Sequence, residues 1–166
     1  MENFPPINYI ATIKRKIDMP PYSKKQSARG GKRSVSDVKL WKVFSEFIRL
    51  RDSIKTTGSK DFFKCCTCGK IKPYAKADAG HFISREFKSI KYDEKNVHAQ
   101  CRDCNFYGSG QQLEYNDFMI KKYGQEVVDS LKLKRDYEKA NPCQIKGFEI
   151  EILLKKYKQK VKEFLK

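Results

Sequence analysis

The sequence lacks the features that mark membrane and exported proteins. It has no run of apolar residues as long as a membrane span. Its first ten residues, MENFPPINYI, do not have the basic-then-apolar order of a signal peptide. Nothing therefore points to an oxidising compartment, in which its six cysteines would form disulfides. We expect a soluble, cytoplasmic protein that has no membrane partner.

Acidic residues are also scarce relative to basic ones. The 166 residues include 36 Lys and Arg but only 20 Asp and Glu, which gives a formal net charge of +16. Such an excess favours a polyanionic partner, most often nucleic acid, because cationic side chains displace counterions from phosphates. A basic protein that is merely soluble is the alternative, and composition does not separate DNA from RNA.

The chain is long enough for one domain with tails, and its hydrophobic content of 39% allows only a modest core. Residues 1–33 are predicted to form a basic, flexible arm, because two Pro-Pro pairs interrupt any helix there. Residues 34–140 are predicted to form the main domain. Residues 141–166 are predicted to end in a basic amphipathic helix, which packs on its own domain or forms a dimer interface.

Helical periodicity flanks a central region of short strands. Ser34 and Asp37 fit a capping box, and the apolar residues after them predict a helix of about four turns. Gly58 ends this segment. A second helix is expected to end at Gly124. The apolar faces expected for these two helices and for the C-terminal one are Val38, Trp41, Phe44 and Ile48; Leu113, Phe118 (or Met119) and Ile120; and Ile150, Leu153, Leu154, Tyr157, Val161 and Leu165.

Two cysteine pairs have the spacing of zinc knuckles. Cys65-x-x-Cys68 and Cys101-x-x-Cys104 supply four thiolates, the tetrahedral set that Zn²⁺ prefers. The sequence therefore predicts a structural zinc that compensates for the small core. Cys66 lies next to the first pair and is interpreted as a packed, spare thiol. Cys143 receives the same interpretation.

Both histidines of the chain, His81 and His98, lie between the two cysteine pairs. Either one alone would be interpreted as a core residue. Their placement together within a zinc-bracketed insertion, with polar residues such as Asp78 and Asn96, instead favours a reactive site. Asn105 directly follows the second cysteine pair.

This order of residues resembles the HNH, or ββα-metal, nuclease motif. It resembles the phage lambda NinG (Rap) recombination endonuclease family more closely still, over residues 38–135. The stretches that carry this likeness are FIRLRD, the first C-x-x-C-G, DAGHF, NVHAQCRDCN, SGQQLEY and YGQEVVDSL. The resemblance implies an α+β fold with a small, zinc-stabilised ββα-metal (treble-clef-like) core and flanking α-helices. It also implies a phage protein that acts in the host cell cytoplasm.

The resemblance implies a role for each polar residue. His81 would be the general base, because a neutral imidazole takes a proton near pH 7. Asp78 and Asn105 would hold a catalytic Mg²⁺ or Mn²⁺ through their oxygens. Asn96 would complete the catalytic set by bracing the loop and orienting His81.

Asp78 departs from the common HNH arrangement, in which the acid directly precedes the base. Here Gly80 precedes His81. We expect a bulge at Ala79-Gly80 that brings Asp78 to the cation, since glycine often marks bulges. His98 is the alternative ligand, and its other interpretation is a structural hydrogen bond.

The function implied is a metal-dependent DNA endonuclease that cuts branched recombination intermediates, such as Holliday junctions and D-loops. A homodimer would supply one active site per strand. The alternatives are a non-catalytic zinc module that only binds nucleic acid and a nonspecific or nicking HNH nuclease. For Arg49 and Arg51 a helix-terminal role is as well supported as DNA contact. The candidate DNA contacts are Lys32, Arg33, Arg49, Arg51 and Arg85.

Overall fold

A computed structural model describes residues 35–166. The predicted arm, with Lys32 and Arg33, and the cap residue Ser34 lie outside the described residues. The described elements are α1 (Val35–Thr57), β1 (Phe62–Lys64), β2 (Ile71–Pro73), β3 (Ala77–His81), β4 (Val97–Cys101), α2 (Gln112–Tyr123), α3 (Gln125–Ala140) and α4 (Gly147–Leu165). The predicted α+β class is confirmed. No helix among them has the length and apolar character needed to cross a bilayer.

The strands form two antiparallel pairs, β1 with β2 and β3 with β4. The turn between β1 and β2 contains the first cysteine pair. The register of β3 on β4 runs without interruption from Ala77 opposite Cys101 to His81 opposite Val97. The expected bulge at Ala79-Gly80 is therefore wrong, because the two strands remain paired residue for residue through it.

The first helix, α1, is longer than the four turns that its apolar spacing predicts. Its 23 residues make more than six turns, at about 3.6 residues per turn. The helix continues because Arg51, Asp52 and Ser53 are buried near its C-terminal end. Gly58 does stop it, with φ +69° and its N–H donated to the Ile54 carbonyl. Val38, expected on the apolar face, is exposed.

The C-terminal helix, α4, packs along α1, which is the first of its two expected roles. Tyr157 is buried, and its ring lies edge-on to Phe44 at 4.8 Å between centroids. The last expected core residue, Leu165, is exposed, and Phe164 stacks on Phe47 instead. This contact makes α1 and α4 the two walls of the largest apolar cluster.

The apolar face predicted for α2 is wrong at two of its positions. Leu113 and Ile120 are exposed, whereas Tyr115 and Met119 are buried. The hydroxyl of Tyr115 donates to the Gly80 carbonyl at 2.8 Å. A buried tyrosine needs such a partner, and this one turns the tyrosine face of α2, rather than its leucine face, toward β3. Gly124 ends α2 as predicted, with φ +83°.

A buried ion pair joins α1 to β4. Arg51 donates two hydrogen bonds to the Asp52 carboxylate and others to the carbonyls of Glu94 and Val97. Asp52 also accepts from the Ala99 amide at 2.8 Å. Every partner of this pair is internal, so Arg51 is removed from the residues that can reach DNA.

Replacing Asp52 with alanine should destabilise the protein by about 3–5 kcal/mol, because the Arg51 charge and the Ala99 amide would remain buried without their partner. Urea unfolding followed by circular dichroism measures this. The matched control is Asp136→Ala, which breaks a pair of the same geometry with Arg135 on the surface. The control should leave the unfolding midpoint unchanged, and equal effects of the two substitutions would contradict the assignment.

Candidate metal centre

Four cysteine sulfurs converge at one point of the strand region. Those of Cys65, Cys68, Cys101 and Cys104 all lie within 4.8 Å of one another. Cys65 directly follows β1, and Cys101 ends β4. Cys104 lies in a short π-helix, Asp103–Tyr107, which follows β4. The predicted pairing of the two knuckles into one cluster is confirmed.

The backbone of the first knuckle supports its sulfurs. The Gly69 amide donates to the Cys65 carbonyl, and the Cys65 amide donates to the Lys70 carbonyl, both at 3.0 Å. Gly69 has φ +69°, which a residue with a side chain rarely adopts. The tight turn therefore brings Cys65 and Cys68 to the same side.

The donor set fits zinc in spacing, and one of its thiols has a lowered pKa. A tetrahedral ion with Zn–S bonds of about 2.3 Å places neighbouring sulfurs about 3.8 Å apart. The Sγ atoms of Cys68 and Cys101 are 3.9 Å apart. Burial raises the pKa of the Cys65 thiol, but hydrogen bonds from Thr67 and the Cys101 amide outweigh it and lower the pKa to about 7. Cys65 is thus prepared to act as a thiolate.

The two remaining cysteines lie outside this cluster. The amide of Cys66 donates to the Ala99 carbonyl, and burial raises the pKa of its thiol. Burial also raises the pKa of Cys143, to about 11. Both thiols stay protonated at neutral pH, as expected for packed cysteines.

Asp78 and Asn105 meet beside the sulfur cluster. The Asn105 side-chain amide donates to Asp78 Oδ2 at 3.2 Å, across 27 positions of sequence. Asp78 lies on β3, and Asn105 lies in the π-helix one residue after Cys104. Both are only partly buried. The second Asp78 oxygen and the Asn105 carbonyl oxygen are the acceptors through which this pair could hold a hard cation.

His81 is held by α1 and by the loop between β3 and β4. Its ring stacks on Trp41 at 5.1 Å, and its Nε2 bonds the Lys91 carbonyl at 3.0 Å. Burial lowers the pKa of His81 to about 4, so the ring is neutral at pH 7. Alternation along β3 places His81 on the face opposite Asp78. Sequence reasoning missed both Trp41 and Lys91 as orienting groups, because no sequence pattern near His81 indicates these contacts.

Asn96 braces the loop, as the resemblance implies. Its side chain accepts from the Ile83 amide and donates to the carbonyls of Ile83 and Ile90. It is fully buried. Its contacts close the loop that carries Lys91, and it has no surface from which to touch a substrate.

His98 occupies a closed pocket of aromatic residues. Its Nδ1 and Nε2 bond the hydroxyls of Tyr115 and Tyr123, at 3.2 and 2.9 Å. Both ring nitrogens are therefore used, which matches the structural hydrogen-bonding interpretation and not metal binding. Burial lowers the pKa of His98 to about 3.

Position 80 is a glycine because a larger residue there would collide with a neighbouring side chain. A Cβ added to Gly80 would meet the side-chain oxygen of Gln100 at 2.2 Å. Gln100 is fully buried, and its amide donates to the Gly110 carbonyl at 2.8 Å. The glycine in DAGH thus makes room for a side chain that ties β4 to the turn before α2.

The other two arginines proposed as DNA contacts differ in their surroundings. Arg49 is half-buried, donates to the Ser45 carbonyl and lies over the Tyr74 ring at 5.1 Å. Arg85 is exposed and acts electrostatically on His81. Of the arginines proposed as DNA contacts, Arg85 is therefore the one that the described structure leaves open to solvent beside the site.

Cys101→Ser should abolish binding of the one zinc expected per chain and unfold the strand region, because three thiolates cannot complete the tetrahedral set. Mass spectrometry under native conditions gives the stoichiometry, and circular dichroism reports folding. Cys143→Ser is the matched control and should keep both. Zinc retained at wild-type stoichiometry in Cys101→Ser would contradict the assignment.

Stability should fall as the pH drops from about 6.5 toward 4. The folded pKa values of His81 and His98 lie below the ordinary 6.5, so the stabilisation is full above that value and is lost on acidification. Each histidine should account for about 2 kcal/mol at pH 5. Urea titrations of the parent protein and His98→Gln at several pH values test this, since the variant should lose less. Identical pH slopes for the two proteins would contradict it.

Comparison with known proteins gives the family of the chain. A family model described as Bacteriophage Lambda NinG protein matches residues 15–166. Similar curated proteins, all named Protein ninG, come from Escherichia phage 933W and Escherichia phage lambda, each 30% identical over 100 residues, and from Salmonella phage P22, 29% identical over 100 residues. These matches cover 60% of this chain and 46–47% of each relative. The chain thus spans about half the length of the curated relatives it matches.

No solved structure matches the chain significantly. The likeness to HNH nucleases therefore stays a prediction from the motif. The family model, by contrast, covers nearly the whole sequence and agrees with the stretches that suggested it. The chain belongs to the phage lambda NinG family.

Proposed function

We propose that the chain is a metal-dependent DNA endonuclease that hydrolyses phosphodiester bonds in branched recombination intermediates. The observation that carries this proposal is the contact between Asp78 and Asn105 beside the sulfur cluster. A carboxylate and an amide brought together from distant parts of the chain, at a half-exposed position, are hard oxygen donors. No packing role in the core explains why these two side chains meet.

The residues divide the work of hydrolysis among them. Asp78 and Asn105 would hold Mg²⁺ or Mn²⁺, which when bound supplies positive charge for the phosphate and the leaving oxygen. His81 would take the proton of the attacking water. Its Nε2 donates to the Lys91 carbonyl, so Nδ1 carries the lone pair that accepts this proton.

The position of His81 constrains how DNA approaches. His81 and Asp78 project from opposite faces of β3, and among the described strands β3 pairs with β4 alone. For both residues to act on one phosphate, the DNA backbone would have to reach both faces of β3. Exposed Arg85 lies near His81 and would bind a neighbouring phosphate.

The same separation favours a second candidate function. A zinc module that binds nucleic acid without cutting it needs the sulfur cluster and the charge of +16, but it does not need His81 and Asp78 on one face. Cutting is therefore the property that separates the two candidates.

His81→Ala and Asn105→Ala should each reduce cutting of a four-way junction in Mg²⁺ about 100-fold or more, the usual worth of a general base or of a lost cation site. DNA affinity and zinc content should stay at parent values. Asn116→Ala, a half-buried asparagine of α2, is the matched control. Gel analysis of labelled junction and duplex measures the rates.

The substrates separate the remaining alternatives. Junction cutting that exceeds duplex cutting supports the branched-DNA assignment. Equal rates on the two DNAs would leave a nonspecific HNH nuclease. Tight binding without cutting in Mg²⁺ or Mn²⁺ would overturn the nuclease and leave the zinc module.

A further inference from the structure

Two aromatic side chains project into solvent directly after Asn105. Phe106 is 69% exposed and Tyr107 is 75% exposed. Their rings lie edge to face, 5.2 Å apart. Large aromatic side chains are normally buried in a core or at an interface. An exposed pair next to a candidate cation site therefore indicates a surface that binds a ligand.

The turn that carries these rings is held by the backbone. The Gly108 amide donates to the Asp103 carbonyl at 2.7 Å, and the Gly110 amide donates to the Cys104 carbonyl at 2.9 Å. Cys104 also belongs to the sulfur cluster. Phe106 and Tyr107 thus lie on a fixed turn. Their rings do not stabilise this turn, so they remain available to bind a ligand.

Positive charge surrounds the base of the turn. Lys72 pairs with Asp103, and Lys70 and Lys76 lie near enough to act on the same carboxylate. Arg102 is exposed at the start of the π-helix. Asp103 lies three residues before Phe106, so these cations lie near the turn that carries the rings, where a stacked ligand would bring its phosphates.

We propose that Phe106 and Tyr107 form a stacking site for unpaired nucleobases, with Lys70, Lys72 and Lys76 binding the adjoining phosphates. The proposal rests on the DNA-binding part of the proposed function and adds the form of DNA recognised. Bases within a duplex already stack on their neighbours and offer no free face, whereas a single strand, a gap or the centre of a branch does. Aromatic stacking accepts every base and pairs with a cationic groove.

The test measures binding, so it does not depend on cutting. The zinc-loaded protein without added Mg²⁺ is titrated into fluorescein-labelled oligothymidylate and into a duplex of equal length. The double substitution Phe106→Ala, Tyr107→Ala should weaken binding of the single strand about 10-fold or more, since each stacked base is worth about that factor. Duplex affinity and the salt dependence of binding should not change.

Phe148→Ala provides the matched control. Phe148 is 58% exposed on α4 and lies beside Lys146, so it resembles the pair in exposure and charge but is far from it in sequence. Its loss should leave binding of both DNAs unchanged. The conservative variant Tyr107→Phe should keep the parent affinity for the single strand, because its ring still stacks.

The outcomes distinguish this proposal from that of the nuclease. Parent affinity for oligothymidylate in the double variant, with zinc content and circular dichroism intact, overturns the stacking site even if junctions are still cut. A selective loss of single-strand binding supports it even if the protein cuts no DNA. A change in oligomeric state by analytical ultracentrifugation, without loss of single-strand affinity, would assign the rings to a second copy and overturn the proposal.

Discussion

The convergence of four cysteine sulfurs is the constraint on which the strand region depends. Four thiolates within 4.8 Å of one another would repel unless a cation neutralised them, and a zinc ion would do so while fixing their directions. The apolar residues around the cluster are few and small apart from Phe63. Burial of that size cannot position two strands and a π-helix by itself. The meeting of Asp78 and Asn105 follows from the cluster, because Asn105 directly follows Cys104 and Asp78 lies on β3, which pairs with the strand that ends at Cys101.

A second support comes from α1 and holds the other half of the candidate site. Asp52 binds the Ala99 amide and Arg51 binds the Val97 carbonyl, so β4 is fixed along its length by charged hydrogen bonds. Trp41, from the same helix, fixes the His81 ring. The position of the Asp78–Asn105 pair therefore depends on the sulfur cluster, and the position of His81 depends on α1. Each has its own support, so both can be rigid although they lie on opposite faces of β3.

The sequence was informative where a signal is local and weak where a contact is distant. The knuckles, Gly58 and Gly124 each follow from spacing or conformation within a few residues, and the structure has them where expected. Gly80 suggested a bulge because a glycine in a strand has two explanations, and only the paired strand shows that Gln100 occupies the space. In the sequence Arg51 looks like a surface cation, because the carbonyls of Glu94 and Val97 that bury it lie more than 40 positions away.

Several large apolar residues are left out of the core, and for different reasons. Periodicity assigned Leu113 to the core, and the polar contact of Tyr115 to Gly80 displaced it. Phe106 and Tyr107 are excluded for a different reason, since the sulfur cluster and backbone hydrogen bonds hold their turn without them. Leaving a large aromatic in water forgoes about 1.5–3 kcal/mol of burial. A chain that is only 39% hydrophobic tolerates that loss twice in succession because the metal centre, and not the rings, holds the turn.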